Sequence, residues 1–155
     1  MTRLHEYGTR RQLAEALAAG VAAVLGGGIA ARGAAVLAVS GGSTPALFLS
    51  RLSEADIAWE NVAVTLVDER FVPTDHPRSN FRLLNETLLR NRAAAATAVP
   101  LCDGSDDLDA AARIADRRIA GLGRIDAAIL GMGADGLTAS FFAGGDRLAE
   151  ALDPS

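Results

Sequence analysis

The sequence predicts an α/β fold in three layers: a mostly parallel sheet with helices on both faces. Two observations carry that expectation. Three short segments, residues 34–39, 62–67 and 125–130, are apolar along nearly their whole length, as suits strands covered on both faces. Between them run stretches with helical periodicity. Buried strands separated by helices mean βαβ units and parallel pairing.

Taken in order, Thr9 caps a helix from about Arg10, along which Leu13, Leu17, Val21 and Leu25 recur at helical spacing. The glycine run 26–28 ends or frays this helix, or it continues weakly to Arg32 and Gly33. The first strand is 34–39, and Pro45 opens the next helix, because proline suits the first helical position. Residues 62–67 are the second strand, and Ser79 caps a helix reaching about Leu89. Residues 96–101 add a strand if they pair. A polar segment, 103–107, leads into a helix carrying Leu108, Ala111, Ile114 and Ile119. Residues 125–130 form a further strand and 138–152 a last helix. No repeat or linker interrupts the chain, so residues 1–155 are expected to form a single α/β domain. After Asp153, Pro154 and Ser155 the chain stops with three strands, or four, and an edge left over. The domain is therefore expected to be incomplete at its C-terminus, unless something else covers that edge.

Composition narrows the classes. A chain of 155 residues with 50% hydrophobic content is long enough to bury a core without disulfides, roughly 70% of its unfolded surface at this size. The single cysteine, Cys102, cannot form an internal disulfide and reads as a small buried apolar residue. A net charge of −4 argues against nucleic acid or an acidic membrane surface as partner. All 15 basic side chains are arginine, which removes lysine-based chemistry such as Schiff bases. Arg10 and Arg11 before an apolar stretch resemble a signal peptide, but Glu15 inside it favours an amphipathic helix. No uncharged run is expected to span a bilayer, and the expected location is cytoplasmic. Nothing in the sequence marks an oligomeric state.

Three polar clusters follow the three apolar strands directly. In parallel sheets ligands bind just beyond the strands' carboxyl ends, so the clusters are expected to meet in one cleft. The first is Ser40-Gly41-Gly42-Ser43-Thr44-Pro45. Its glycines let backbone approach a ligand, the helix that follows offers free N–H groups, and the two hydroxyls add donors for a phosphate. A plain capped turn would look the same. The second is Asp68-Glu69-Arg70, followed by Phe71-Val72-Pro73, His76, Ser79 and Asn80. Charges ending an apolar strand are costly unless they face a polar cleft. Arg70 could hold a phosphate or steady an oxyanion, and Asp68 could orient a water or a sugar hydroxyl; the alternative is a surface turn with an internal ion pair. His76 alone reads as a loop residue bonded to backbone. The third is Gly131-Met132-Gly133-Ala134-Asp135-Gly136. It fits the dinucleotide pattern G-x-G-x-x-G, but the helix, second strand and acidic residue that pattern needs do not follow. The spacing of histidines and cysteine offers no metal site, and no serine-hydrolase elbow is present.

Together, with Leu137-Thr138-Ala139-Ser140 after the third cluster, these segments resemble the three signature segments of 6-phosphogluconolactonases. The related glucosamine-6-phosphate deaminases share the first and third, whereas Asp-Glu-Arg-x-Val-Pro with its Ser-Asn follow-up is similar to the lactonase branch. The resemblance implies a Rossmann-like fold of the deaminase/ribose-5-phosphate isomerase type. It also implies hydrolysis of 6-phospho-D-glucono-1,5-lactone in the pentose phosphate pathway, with a small phosphorylated sugar lactone as partner and neither cofactor nor metal. By motif, Gly41, Gly42, Ser43 and Thr44 receive the phosphate, with Gly133 and Gly136 in the loop that closes over the ligand. Asp68 and Arg70 border the lactone carbonyl and Asp135 stands behind the general base. In the family that base is a histidine; here the position is Leu137, which cannot accept a proton. Three readings stay open: a lactonase that is weakly active or uses His76 or Asp135, a non-catalytic phosphosugar-binding protein, and a sugar-phosphate isomerase or deaminase, which suits the fold but not the second segment.

Overall fold

The computed structural model describes residues 2–102 and 104–153. Asp103, which opens the expected polar segment, and Pro154 and Ser155 lie outside them. The described residues form a parallel four-stranded sheet in the order β3-β2-β1-β4. Its strands are β1 (Ala35–Val39), β2 (Val62–Leu66), β3 (Thr97–Val99) and β4 (Ala127–Ile129). The helices are α1 (Arg10–Arg32), α2 (Ser43–Leu52), α3 (Asn80–Thr87), α4 (Leu108–Leu122) and a single turn, α5 (Leu148–Ala151). The conditional strand at 96–101 does pair, through three residues in register with β2.

Thr9 caps α1 as expected, its Oγ1 accepting from the Gln12 amide at 3.2 Å. The helix does not fray at its glycine run. It continues to Arg32 and ends where Gly33 adopts a left-handed φ of 80°, the conformation glycine provides at helix ends. Gly28 explains the continuity, because a Cβ there would lie 3.1 Å from the Ala35 Cβ and 3.2 Å from the Asp126 Cγ. Tertiary packing of a small residue thus outweighs weak helix propensity. The buried stripe is Ala14, Ala18, Val21, Leu25 and Gly28. Val21 and Leu25 are buried as expected, while in the first turns Ala14 and Ala18 face the core ahead of Leu17, and Leu13 stays 42% exposed. The small residues let α1 lie close to the sheet. By length and composition alone an 18-residue window of α1, with a mean hydropathy of 1.8, is apolar enough to cross a membrane, although it includes the charge of Glu15. Here its stripe packs into the core.

Leu37, Val39, Val62, Val64 and Leu66 join α1, α2 and α3 in one cluster with Trp59 and Leu84. Val36, Ala38 and Thr65, which alternate with them, are also buried, so both faces are covered. The connections β1-α2-β2 and β2-α3-β3 step one way across the sheet, and β3-α4-β4 steps back past both. Right-handed crossovers then put α2 and α3 on one face and α4 on the other.

At the opposite edge of the sheet from the loops discussed below, Asp126 is 6% exposed in its side chain and pairs with Arg32. Its Oδ2 accepts from the Val36 amide at 2.9 Å, while its own amide donates to the Val36 carbonyl at 2.9 Å. This explains a charge inside an otherwise apolar segment. Asp126→Ala orphans a buried N–H and is expected to cost about 2 kcal/mol in urea unfolding; an unchanged midpoint would show that the carboxylate is dispensable.

The expected helix over 138–152 is the main error of the sequence reading. Only α5 is helical. Ala139 takes φ 51° and Gly144 φ 77°, left-handed values that no right-handed helix tolerates, and Gly144-Gly145 breaks the segment at its centre.

Candidate active site

β1 lies between β2 and β4, with Val39 in register with both Leu66 and Ile129. The three polar clusters therefore leave the same edge of the sheet at the same level. The chain's direction across the sheet reverses between β1 and β4, and a crevice at such a point is where open parallel sheets bind ligands. Ser40 spans it. Its amide donates to the Ile129 carbonyl at 3.0 Å, and its Oγ accepts from the Gly131 amide at 3.2 Å.

The first cluster turns sharply at Gly42, whose φ of 102° disfavours any side chain. α2 then begins at Ser43, two residues before the expected start at Pro45. Proline sits within the first turn, where its missing N–H has no intrahelical partner to lose. Gly42 supplies no side-chain cap, which leaves the first N–H groups of α2 open to an anion. Ser43 and Thr44 are exposed. With Ser40, Leu130 and Gly131 they line a cavity of about 340 Å³ that Arg10 also borders. Arg10 forms no ion pair or hydrogen bond with another described residue, so its charge is unspent.

In the second cluster the three charges separate. Glu69 turns inward to the start of α3. Its Oε1 accepts from the amides of Asn80 and Arg70, both at 2.7 Å, and its Oε2 from the Ser79 hydroxyl and the Phe81 amide, both at 2.9 Å. Ser79 caps the helix as expected. Arg70 is exposed and donates through Nη1 to the Arg78 carbonyl at 2.8 Å. No ion pair links Arg70 to Asp68 or Glu69, which removes the reading of an internally paired surface turn. Asp68 is half-buried and accepts from Asn80. The Nδ1 of His76 accepts from the Arg78 amide at 3.1 Å, so this ring is bonded to the backbone of its own turn.

The third cluster folds on itself. Gly133 donates to the Leu137 carbonyl at 2.8 Å, and Asp135 Oδ1 accepts from the Leu137 amide at 3.1 Å. A Cβ on Gly133 would stand 2.4 Å from that Asp135 oxygen, so a side chain there would displace the carboxylate. Gly136 takes φ 82°. The carboxylate thus sits directly beside residue 137, the position expected for a base.

The expectation of one cleft holds only in part. The structure brings Gly41 and Asp68 together through Asn80, and Ser43, Thr44 and Gly131 around one cavity. Arg70 borders a separate cavity of about 140 Å³, because its guanidinium is drawn toward Arg78. Gly133, Gly136, Asp135 and Leu137 do not line the larger cavity either, since their loop bonds to itself. Glu69 and Asn80, the residues that organise the second cluster, were not assigned roles from sequence. Apart from Arg70, next to Glu69 in sequence, their partners lie ten to twelve positions away or in another loop, where no local pattern shows them. Among the described residues, no group of three or more His, Cys, Asp or Glu is placed to hold a metal ion.

Comparison with known proteins bears on the fold and the family. The chain is 54% identical over 153 residues to the 6-phosphogluconolactonase of Rhizobium meliloti (strain 1021), covering 98% of this chain and 66% of that protein. It superposes on the crystal structure of a 6-phosphogluconolactonase from Shewanella baltica OS155 with a TM-score of 0.91 at 40% identity, over 95% of this chain and 64% of that one. A monomeric glucosamine-6-phosphate deaminase shares the fold at 20% identity, with a TM-score of 0.80 over 99% of this chain and 71% of that one. The chain spans just under two thirds of the length of the curated relatives it matches. Residues 8–154 match the family described as glucosamine-6-phosphate isomerases/6-phosphogluconolactonase, and with that fold and those relatives the chain belongs to this family.

Proposed function

We propose that the crevice between β1 and β4 binds the phosphate of a sugar-phosphate lactone, and that the protein acts on 6-phosphogluconolactone in the cytoplasm. The observation that carries this reading is the uncapped start of α2 beside Ser43, Thr44 and the unpaired Arg10, facing Gly131 across the switch point. Open helix N–H groups, two hydroxyls and a free guanidinium are the chemistry a phosphate dianion requires. Hydrolysis of the lactone needs a water activated for attack on the carbonyl carbon, a donor for the oxygen that becomes negative, and protonation of the departing ring oxygen. Asp68, held by Asn80 beside Gly41, orients water or a sugar hydroxyl. Arg70 supplies N–H donors for the oxyanion only after its guanidinium leaves the Arg78 carbonyl and its separate cavity. Leu137 occupies the base position and cannot take the water's proton. The chain therefore binds substrate and turns it over slowly.

Leu137 favours a second reading, a phosphosugar-binding protein without catalysis. Both readings place phosphate at the same loop. The double change Ser43→Ala/Thr44→Ala is expected to weaken inorganic phosphate binding about tenfold, the loss of hydroxyl donors to a charged acceptor. Titration calorimetry reads this directly, and an unchanged affinity would remove the site. Lactone turnover above an enzyme-free blank separates the two readings.

A further inference from the structure

The amide of Asn80 lies between the first two clusters. Asn80 is the first residue of α3 and only 4% exposed. Its Nδ2 donates to the Asp68 carbonyl at 2.9 Å and to the Asp68 Oδ2 at 3.3 Å. Both partners are acceptors, so the nitrogen must face Asp68 and the Oδ1 must face the other way. On that other side is Gly41. A Cβ placed on Gly41 would stand 1.8 Å from the Asn80 Oδ1 and 2.1 Å from its Cγ. The amide therefore fills the space a side chain at 41 would take. Its backbone is held as well, since the Asn80 amide donates to Glu69.

We propose that Asn80 is a positioning residue that sets the Gly41–Thr44 loop at a fixed offset from the Asp68 carboxylate. The proposal rests on the phosphate-binding reading of that loop. Phosphate is the end of the substrate remote from the lactone carbonyl, so the offset between the two clusters decides whether the carbonyl arrives in register with Asp68. A misplacement of about 1 Å in such a geometry costs on the order of 10²-fold in rate. Asparagine suits the task because its flat amide presents donors to Asp68 on one edge and a small oxygen to Gly41 on the other. Aspartate has the same shape but would set an oxygen against both Asp68 acceptors.

The test has two arms. In the first, inorganic phosphate is titrated into the unmodified chain, Asn80→Asp, Asn80→Ala, Gly41→Ala and the Gly41→Ala/Asn80→Ala pair. Asn80→Asp is expected to lower affinity about tenfold, as loss of a hydrogen bond to a charged partner does. Gly41→Ala should be at least as harmful alone and nearly harmless once Asn80 is alanine, because the clash it creates is with the Asn80 amide. A role limited to holding α3 would make the two changes additive. In the second arm, Asn80→Asp is placed in the Leu137→His background and kcat and KM for the lactone are measured on folded protein. Loss of positioning lowers kcat as well as raising KM, whereas a merely structural role lowers only the folded fraction. Should Asn80→Asp not fold, Asn80→Ser, too short to reach both clusters, serves instead. Wild-type affinity in the Asn80 variant, or additive Gly41 and Asn80 effects, overturns the proposal. If the unmodified chain binds no phosphate, the phosphate-loop reading itself fails and this one falls with it.

Discussion

Replacing Leu137 by histidine is expected to raise lactone hydrolysis by roughly 10²–10⁴-fold over the unmodified chain, the usual contribution of a positioned general base. The scaffold for an imidazole is already present. Asp135 Oδ1 sits 3.1 Å from the residue 137 amide, and the Gly133 amide holds the residue 137 carbonyl at 2.8 Å. Position 137 is half-buried, enough to hold a ring in one orientation while leaving it access to water. A base acts in the transition state and not in substrate binding, so kcat should rise while KM changes little. The lactone also opens spontaneously, so rates must be read against an enzyme-free blank at the same pH. If the unmodified chain already ran as fast as the variant, Leu137 would not stand at the base position. If Leu137→His gave no gain while phosphate still bound, the missing imidazole would not be what limits turnover.

The fold was legible because its signals are local. β1 and β2 read as strands because nearly every residue in them is apolar, and burial on both faces is the physical reason for that pattern. Thr9 and Ser79 were readable as caps because a hydroxyl before a helix has one dominant use. The α1 glycine run was not, because its tolerance depends on Ala35 and Asp126 lying against Gly28. The helix expected over 138–152 failed for a related reason: apolar content at helical spacing cannot overrule left-handed residues at Ala139 and Gly144. The candidate site divides the same way. Its loops follow strands and are visible as motifs, so the 40–45 loop was placed correctly at the sheet's carboxyl edge. Which charge in Asp68-Glu69-Arg70 faces inward depends on α3, and no spacing rule carries that information.

Glu69 is where that hidden dependence has its largest expected effect on stability. Both carboxylate oxygens accept two bonds each, from Arg70 and Asn80 amides on one and from Phe81 and Ser79 on the other. Three of those donors belong to the start of α3, whose first N–H groups have no intrahelical partners. A negative charge there also meets the favourable end of the helix dipole. Glu69→Ala removes the acceptor from all four donors while Ser79 and Asn80 remain buried. The expected loss is about 3 kcal/mol, the sum of a lost cap and incompletely rehydrated donors. Glu69→Gln keeps one oxygen but turns an N–H₂ toward donors, so it should recover only part of the loss. Charge alone would make the two variants equal, and shape alone would make the Gln variant neutral. The loss should reach the site too, because Asn80 is anchored through Glu69 and in turn holds Asp68 and abuts Gly41. Phosphate affinity measured on folded Glu69→Gln protein is therefore expected to fall together with the urea midpoint. An unfolding midpoint for Glu69→Ala equal to that of the parent would mean that water replaces the carboxylate at the head of α3, and the second cluster would then owe its geometry to Ser79 and Asn80 alone.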